Sequence, residues 1–179
     1  MKKRTLLLAL AAGIFISIFM VILVKYCDTQ HAATNMLITY TAMITAFSVI
    51  FVATKKERDN NGGVITFGKA FRIGLMITLV ASTIYVAVWL VDYYFFIPDF
   101  MEKYTQHIIQ QLKASHLPPQ ELKAKIDEAN RNKELYSSPI VLTLEAYMEP
   151  LPVGLIMSLI AALILKRSSG DKEQIVASN

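Results

Sequence analysis

The chain has 179 residues, 54% of them hydrophobic and only 18% charged. A soluble domain carries about a quarter charged residues, so this balance argues against an ordinary soluble globular fold. The formal net charge of +4 would suit nucleic acid, but the bases gather at the ends of apolar runs and form no stripe interleaved with aromatics, so no nucleic-acid partner is expected.

A helix crossing the roughly 30 Å hydrocarbon layer needs about 20 mostly apolar residues. The first such run, Thr5 to Val24, carries no charge and follows Met1-Lys2-Lys3-Arg4. Its apolar length exceeds the roughly 7–15 residues of a signal-peptide core, and no A-x-A cleavage site follows. A retained signal anchor is expected, with the first transmembrane helix over residues 5–25. Ala9 and Gly13 place two small residues one turn apart on it, a spacing that lets helices approach closely. Cys27 is the single cysteine, which excludes an internal disulfide and a multi-cysteine metal site. The preceding Val24, Lys25 and Tyr26 are not the small residues that lipid-linked processing uses, so Cys27 reads as a free thiol at a helix end.

The second run, Met36 to Ala53, is stopped by Lys55-Lys56-Glu57-Arg58 and predicts a helix over 36–54. Asp59-Asn60-Asn61-Gly62-Gly63 is then a turn signal. Thr66 is placed to cap the next helix, either a short interfacial one or a third span that starts a turn early. In the interfacial reading Phe67 and Phe71 face lipid while Lys69 and Arg72 reach the headgroups. The third span is predicted over 70–96, ending in an aromatic belt of Trp89, Tyr93, Tyr94, Phe95 and Phe96.

Residues 98–138 form the one sizeable polar stretch. Pro98 suits the opening of a helix, and Phe100, Tyr104, Ile108 and Leu112 recur at helical spacing. Pro118-Pro119 interrupts, and Leu122, Ile126 and Ala129 line one side of a second helix. The prediction is a helical hairpin too small for a core of its own. His31, His107 and His116 are scattered and show no metal-ligand spacing. Neither a metal nor another cofactor is expected.

The fourth run covers 139–165 and stops at Lys166-Arg167, followed by a tail over 166–179. It holds Glu145, Glu149, Pro150 and Pro152, and its second half is too short to span alone. Either it recruits the acid-containing first half or it is re-entrant. Gly154, Ser158 and Ala162 recur every four residues. Like Ala9 and Gly13, they suit packing within one four-helix bundle or a seam between two copies.

Lysine and arginine mark the cytoplasmic side of membrane proteins. With the N-terminus inside, the inner segments hold Lys2, Lys3, Arg4, Lys55, Lys56, Arg58, Lys69, Arg72, Lys166, Arg167 and Lys172 against few acids. The outer bases are balanced or outnumbered by acids. Both termini are therefore expected in the cytoplasm and residues 98–138 outside.

Glu145 and Glu149 lie one turn apart on the fourth helix. Counted from Lys166 at about 1.5 Å per residue, Glu149 stands roughly 25 Å up, in the outer leaflet. Asp92, Lys25 and Tyr40 fall at or near that level on the other three helices. Charges at such depth face a bundle interior, a partner or a water-filled cavity. The five residues Asp92, Glu145, Glu149, Lys25 and Tyr40 therefore form a candidate polar pocket for a cation, a proton or a cationic ligand. The competing readings are acids merely solvated where the prolines break the helix, or a structural pairing with Lys25. No nucleophile–base pair, metal cluster or phosphate loop marks an enzyme.

Thr66-Phe67-Gly68-Lys69-Ala70-Phe71-Arg72-Ile73-Gly74 entering the third helix, Ile97-Pro98-Asp99-Phe100 leaving it, and Gly154-Leu155-Ile156 to Lys166-Arg167 at the end of the fourth complete the pattern. In these stretches and in its two-plus-two arrangement of spans, the chain resembles the bacterial domain-of-unknown-function family numbered 4199. The resemblance implies an inner-membrane protein of a Gram-negative envelope and transfers no catalytic residue. The expectation is an all-α integral membrane fold, a single membrane domain over 1–179, with four transmembrane helices and an extracytoplasmic helical hairpin between the third and fourth. Two roles compete. One is an accessory or scaffold component that meets an envelope partner through 98–138; the other is a small ion- or proton-coupled transporter using Asp92, Glu145 and Glu149.

Overall fold

Apolar surroundings leave backbone N–H and C=O groups no water to bond, so a chain of this composition satisfies them within helices. The computed structural model describes residues 3–26, 32–115 and 117–167. Cys27, His31, His116 and the tail beyond Arg167 lie outside the described residues. The elements are α1 (Lys3–Tyr26), α2 (Ala32–Phe47), α3 (Val49–Asn60), α4 (Phe67–Phe95), α5 (Phe100–Ala114), α6 (Pro119–Tyr136), α7 (Pro139–Met148) and α8 (Pro150–Leu165). Lys3–Lys25, Met36–Asn60, Phe67–Phe96 and Pro139–Leu165 are each long and apolar enough to cross a membrane. The chain divides into two compact units, Met1–Ala87 with Tyr147–Asn179, and Val88–Ala146.

Two of the spans contain an irregular residue. Ser48, between α2 and α3, keeps helical angles (φ −58°, ψ −22°) and turns its hydroxyl onto the Thr45 carbonyl at 2.6 Å. The helix tightens there without stopping. It runs past the expected end at residue 54 through Lys55 and Lys56, because long charged side chains propagate a helix once its apolar part is packed. Asn61, Gly62 and Gly63 then close it, with φ of 70° and 87° at the two glycines and the Gly63 N–H donating to the Arg58 carbonyl. That bond and the left-handed glycines form the usual stop for a helix C-terminus.

In the fourth span Pro150 and Pro152 carry no N–H, so the carbonyls of Ala146 and Met148 lose their helical donors. Glu149 nevertheless holds φ −84° and ψ −60°, and α7 and α8 follow one another as a single interrupted span of 27 residues. The whole run, acid-containing first half included, is thus long and apolar enough to cross a membrane. Likewise α4 is one helix from Phe67, whose first turn is capped by Thr66 accepting the Lys69 N–H at 3.4 Å. The interfacial alternative gives way to a span that begins early.

The first unit is organised around α4. Its buried face carries Ala70, Gly74, Thr78, Ala81, Ser82 and Tyr85. Gly154, Ser158 and Ala162 of α8 are buried too. A Cβ on Gly74 would lie 2.6 Å from Ser158 Oγ, and one on Gly154 would lie 2.6 Å from Thr78 Oγ1. Ser158 and Thr78 are 3.3 Å apart, oxygen to oxygen. Further along, Ile65 and Arg167 exchange two backbone hydrogen bonds of 3.1 and 2.9 Å. Ile65 is buried with Ala70 and Ala162 beneath Phe71 and Ile73. One antiparallel register thus joins Ile65 to Arg167, Gly74 to Ser158 and Thr78 to Gly154. Across α4, Gly13 of α1 makes the same close approach, its missing Cβ falling 3.1 Å from Ala81 Cα. Small residues let these helices touch backbone to backbone, which is how apolar helices gain packing where no water drives them together. Ala9, one turn before Gly13 on α1, is fully buried.

Polar side chains inside the spans are mostly satisfied locally. Ser17, Thr41, Thr45, Thr83 and Ser158 each donate to the carbonyl four residues back at 2.6–2.8 Å. Among the described residues, the hydroxyls of Thr54 and Ser82 differ: both are fully buried and without a hydrogen-bond partner.

In the second unit α5 and α6 pack along the half-buried Ile108, Leu112, Leu122, Ile126 and Ala129. Thr105 is the buried residue of α5, and α6 buries none. Pro98 does not open α5: it sits in a turn, Asp99 takes the N-cap position, and the helix starts at Phe100. Pro119 instead holds the first position of α6, where a missing N–H costs nothing. Phe100 bridges the aromatic belt into the hairpin, its ring edge-on to Trp89 at 5.4 Å and stacked on Tyr104 at 5.9 Å. Lys133 ties α6 to Glu102 of α5.

Candidate functional site

Of the residues expected to line a polar pocket, Glu149 has the most constrained setting. It stands at the interruption between α7 and α8, half-buried, and its Oε2 accepts a 2.5 Å hydrogen bond from the hydroxyl of Tyr85 on α4. Tyr85 is 4% exposed. Its position follows from the α4 face already described: Thr78, Ser82 and Tyr85 succeed one another at helical spacing. The pairing sets the helix interruption at the two prolines beside Tyr85, the buried tyrosine among the described residues.

A second tyrosine links α7 to α4. The Tyr147 hydroxyl donates to Thr83 Oγ1 at 3.1 Å. Tyr40 of α2 is 40% exposed and lies near Tyr85. Tyr85 also borders a cavity of about 10 Å³ lined by Met20 and Leu23 of α1 and Thr39 and Met43 of α2. That is room for about one water molecule.

The other three expected pocket residues each have a setting of their own. Lys25 is exposed in the last turn of α1. Asp92 and Glu145 belong to the second unit. Asp92 is half-buried, and its backbone carbonyl takes the N–H groups of Phe96 and Ile97 that end α4. Glu145 is exposed and lies near Tyr136. Burial, and then the charge of Glu145, push the Tyr136 phenol above its ordinary range. Within the first unit, therefore, Glu149 and Tyr85 form the hydrogen-bonded centre, with Tyr40 beside it. Gly154, Ser158, Ala162, Ala9 and Gly13 are placed in the seams against α4 and between the helices of this chain.

Tyr85 was not among the expected residues. The signal for it was present, since it is the tyrosine of the third run that stands well before the aromatic belt. Counted from Arg72 it stands roughly 20 Å up, close to the depth reached by Glu149 from Lys166.

His107 lies within 2.9 Å of Gln111, and no group of three metal-ligating side chains occurs among the described residues. Residues 7–167 match the profile of DUF4199, described as a protein of unknown function. The chain belongs to this family. The DUF4199 match starts inside α1, takes in all four spans and both helices of the hairpin, and ends at Arg167, the residue bridged to Ile65. No curated protein and no solved structure matches the chain.

Proposed function

We propose that this DUF4199 protein is a non-enzymatic accessory or scaffold component of a bacterial envelope. In this reading it is seated in the inner (cytoplasmic) membrane with both termini in the cytoplasm and residues 98–138 in the periplasm. The observation that carries the reading is the hairpin of the second unit. Its two helices spend their apolar sides on each other and on the aromatic belt through Phe100, and Glu102 and Lys133 pin them together. Most of the remaining surface is polar, with Tyr104 and Leu135 exposed among the charged side chains, which suits recognition of a protein partner. A photo-cross-linking residue at Asp127 or Asn130, on the exposed side of α6, tests it in intact membranes. A discrete heterologous adduct that disappears when Lys123 and Lys125 are reversed to Glu supports the scaffold role. Adducts only between copies of the chain would redirect the reading to a homo-oligomer, and no adduct from either position would sink it. Impermeant thiol labelling of Asp127→Cys in a Cys27→Ser background reports which side the hairpin occupies.

A second reading, cation- or proton-coupled transport, is favoured by one observation. The Glu149 carboxylate lies inside a span at a helix interruption, a placement that transporters use for coupling ions. In proteoliposomes, Glu149→Gln should abolish coupled flux if that reading holds. Unchanged flux removes Glu149 from the mechanism.

A further inference from the structure

We infer that the end of the first unit formed by the termini of α3, α4 and α8 is a binding surface for an anionic phospholipid headgroup. Three contacts gather the surface. α3 packs along α8, the Ile65–Arg167 backbone bridge draws the end of α8 against the entry to α4, and Lys69 of α4 reaches Glu57 of α3 at 3.0 Å.

The charge there is lopsided. The described acids are Glu57 and Asp59, and they are already engaged by Lys69 and by Arg58 at 3.5 Å. Lys55, Lys56, Arg72, Lys166 and Arg167 form no ion pair among the described residues. All but the half-buried Arg167 are exposed. Like charges gathered at one end of the unit repel, and each gains when an anion settles among them.

Two features select a lipid over a free anion. The apolar surface begins within one turn of the cations, with Val52 57%, Leu163 55% and Ile164 66% exposed. A headgroup phosphate held at Lys55, Lys56 and Lys166 would therefore lay its acyl chains on that surface with no further rearrangement. The cations also sit at the ends of spans, where long basic side chains extend to headgroup level. Basic clusters between helix ends recognise anionic lipid in this way, each lysine or arginine adding to the attraction. The surface is independent of the hairpin and of Glu149, so it stands or falls apart from the scaffold and transport roles.

The test uses the full chain in an uncharged detergent. Phosphatidylglycerol, phosphatidylcholine or inorganic phosphate is added, and both the melting temperature and the lipid retained in native mass spectrometry are read. Phosphatidylglycerol should raise the melting temperature and be retained, phosphatidylcholine should do so far less, and the preference should shrink in about 1 M salt. Combining Lys55→Gln, Lys56→Gln, Arg72→Gln and Lys166→Gln should cut phosphatidylglycerol retention at least about tenfold. The matched variant Lys113→Gln, Lys123→Gln, Lys125→Gln and Arg131→Gln should keep it. All eight positions are exposed, and unchanged circular dichroism verifies folding. Equal retention of the two lipids, equal losses in the two variants, or equal stabilisation by inorganic phosphate would each overturn the inference.

Discussion

Gly154 of α8 and Thr78 of α4 are so close that a methyl group on the glycine would lie 2.6 Å from Thr78 Oγ1 and 2.9 Å from its Cβ. A rotation of Thr78 cannot relieve a clash with its own Cβ, so the helices must part. Gly154→Val is expected to destabilise the first unit by about 1–3 kcal/mol, the range for overpacking a filled seam. Thermal unfolding in detergent checks this. A wild-type melting temperature would show that the seam is slack.

Glu149 and Tyr85 should be energetically coupled. Tyr85→Phe leaves a carboxylate without its donor, whereas Glu149→Gln retains an acceptor, so the tyrosine change should be the costlier of the two. A double-mutant cycle is expected to give a coupling of about 0.5–2 kcal/mol, as for hydrogen bonds between membrane helices. Simple additivity would mean that the bond contributes nothing to holding α4 and α8 together.

Two glycines should respond with opposite signs. Gly63 has φ of 87° with open space where a Cβ would go, so Gly63→Ala suffers backbone strain alone, about 1–2 kcal/mol. Gly68 lies in the first turn of α4, also with open space, and there alanine improves helix propensity by up to about 1 kcal/mol. Melting temperatures of the two variants should therefore fall on opposite sides of wild type. Shifts in the same direction would contradict the backbone geometry.

The hairpin should loosen in acid. Hydrogen bonding from Lys133, then from Gln106, holds the Glu102 carboxyl below its usual range, and Lys103 does the same for Asp99. A carboxylate depressed on folding contributes stability that is full above its unfolded value and is lost as pH falls through the folded one. Trp89 reports this, because its ring packs against Phe100 at the start of α5. Its emission is expected to hold steady at neutral pH and change below the ordinary carboxylate range. Glu102→Gln should flatten part of that change. An acid response identical in the variant would exclude the Glu102–Lys133 tie as its source.

Helix positions were legible in the sequence because apolar length and basic stops are one-dimensional signals. The turn at Asn61-Gly62-Gly63 and the cap at Thr66 were legible for the same reason, since both depend on neighbours in the chain. The stripe of Gly154, Ser158 and Ala162 announced close packing but not its partner. That partner, Gly74 and Thr78, is fixed by a register between distant segments. Depth counting groups Glu149 with Asp92, Glu145, Lys25 and Tyr40, and it does not reveal the hydrogen bond from Tyr85. An uncharged donor satisfies a carboxylate without adding a second buried charge, and tyrosines inside apolar runs do not stand out from the core aromatics around them. The Ile65–Arg167 bridge had no side-chain signature at all, being made by backbone atoms.

That bridge also sets an order of assembly. The face of α4 bearing Gly74 and Thr78 has its complement on α8, which the ribosome makes only after the whole hairpin. Until translation passes Arg167, Gly74 and Thr78 lack their complement on α8, and the two backbone bonds to Ile65 cannot form. A nascent chain arrested before α8 should therefore be the form most exposed to membrane proteases and to mispairing with other helices.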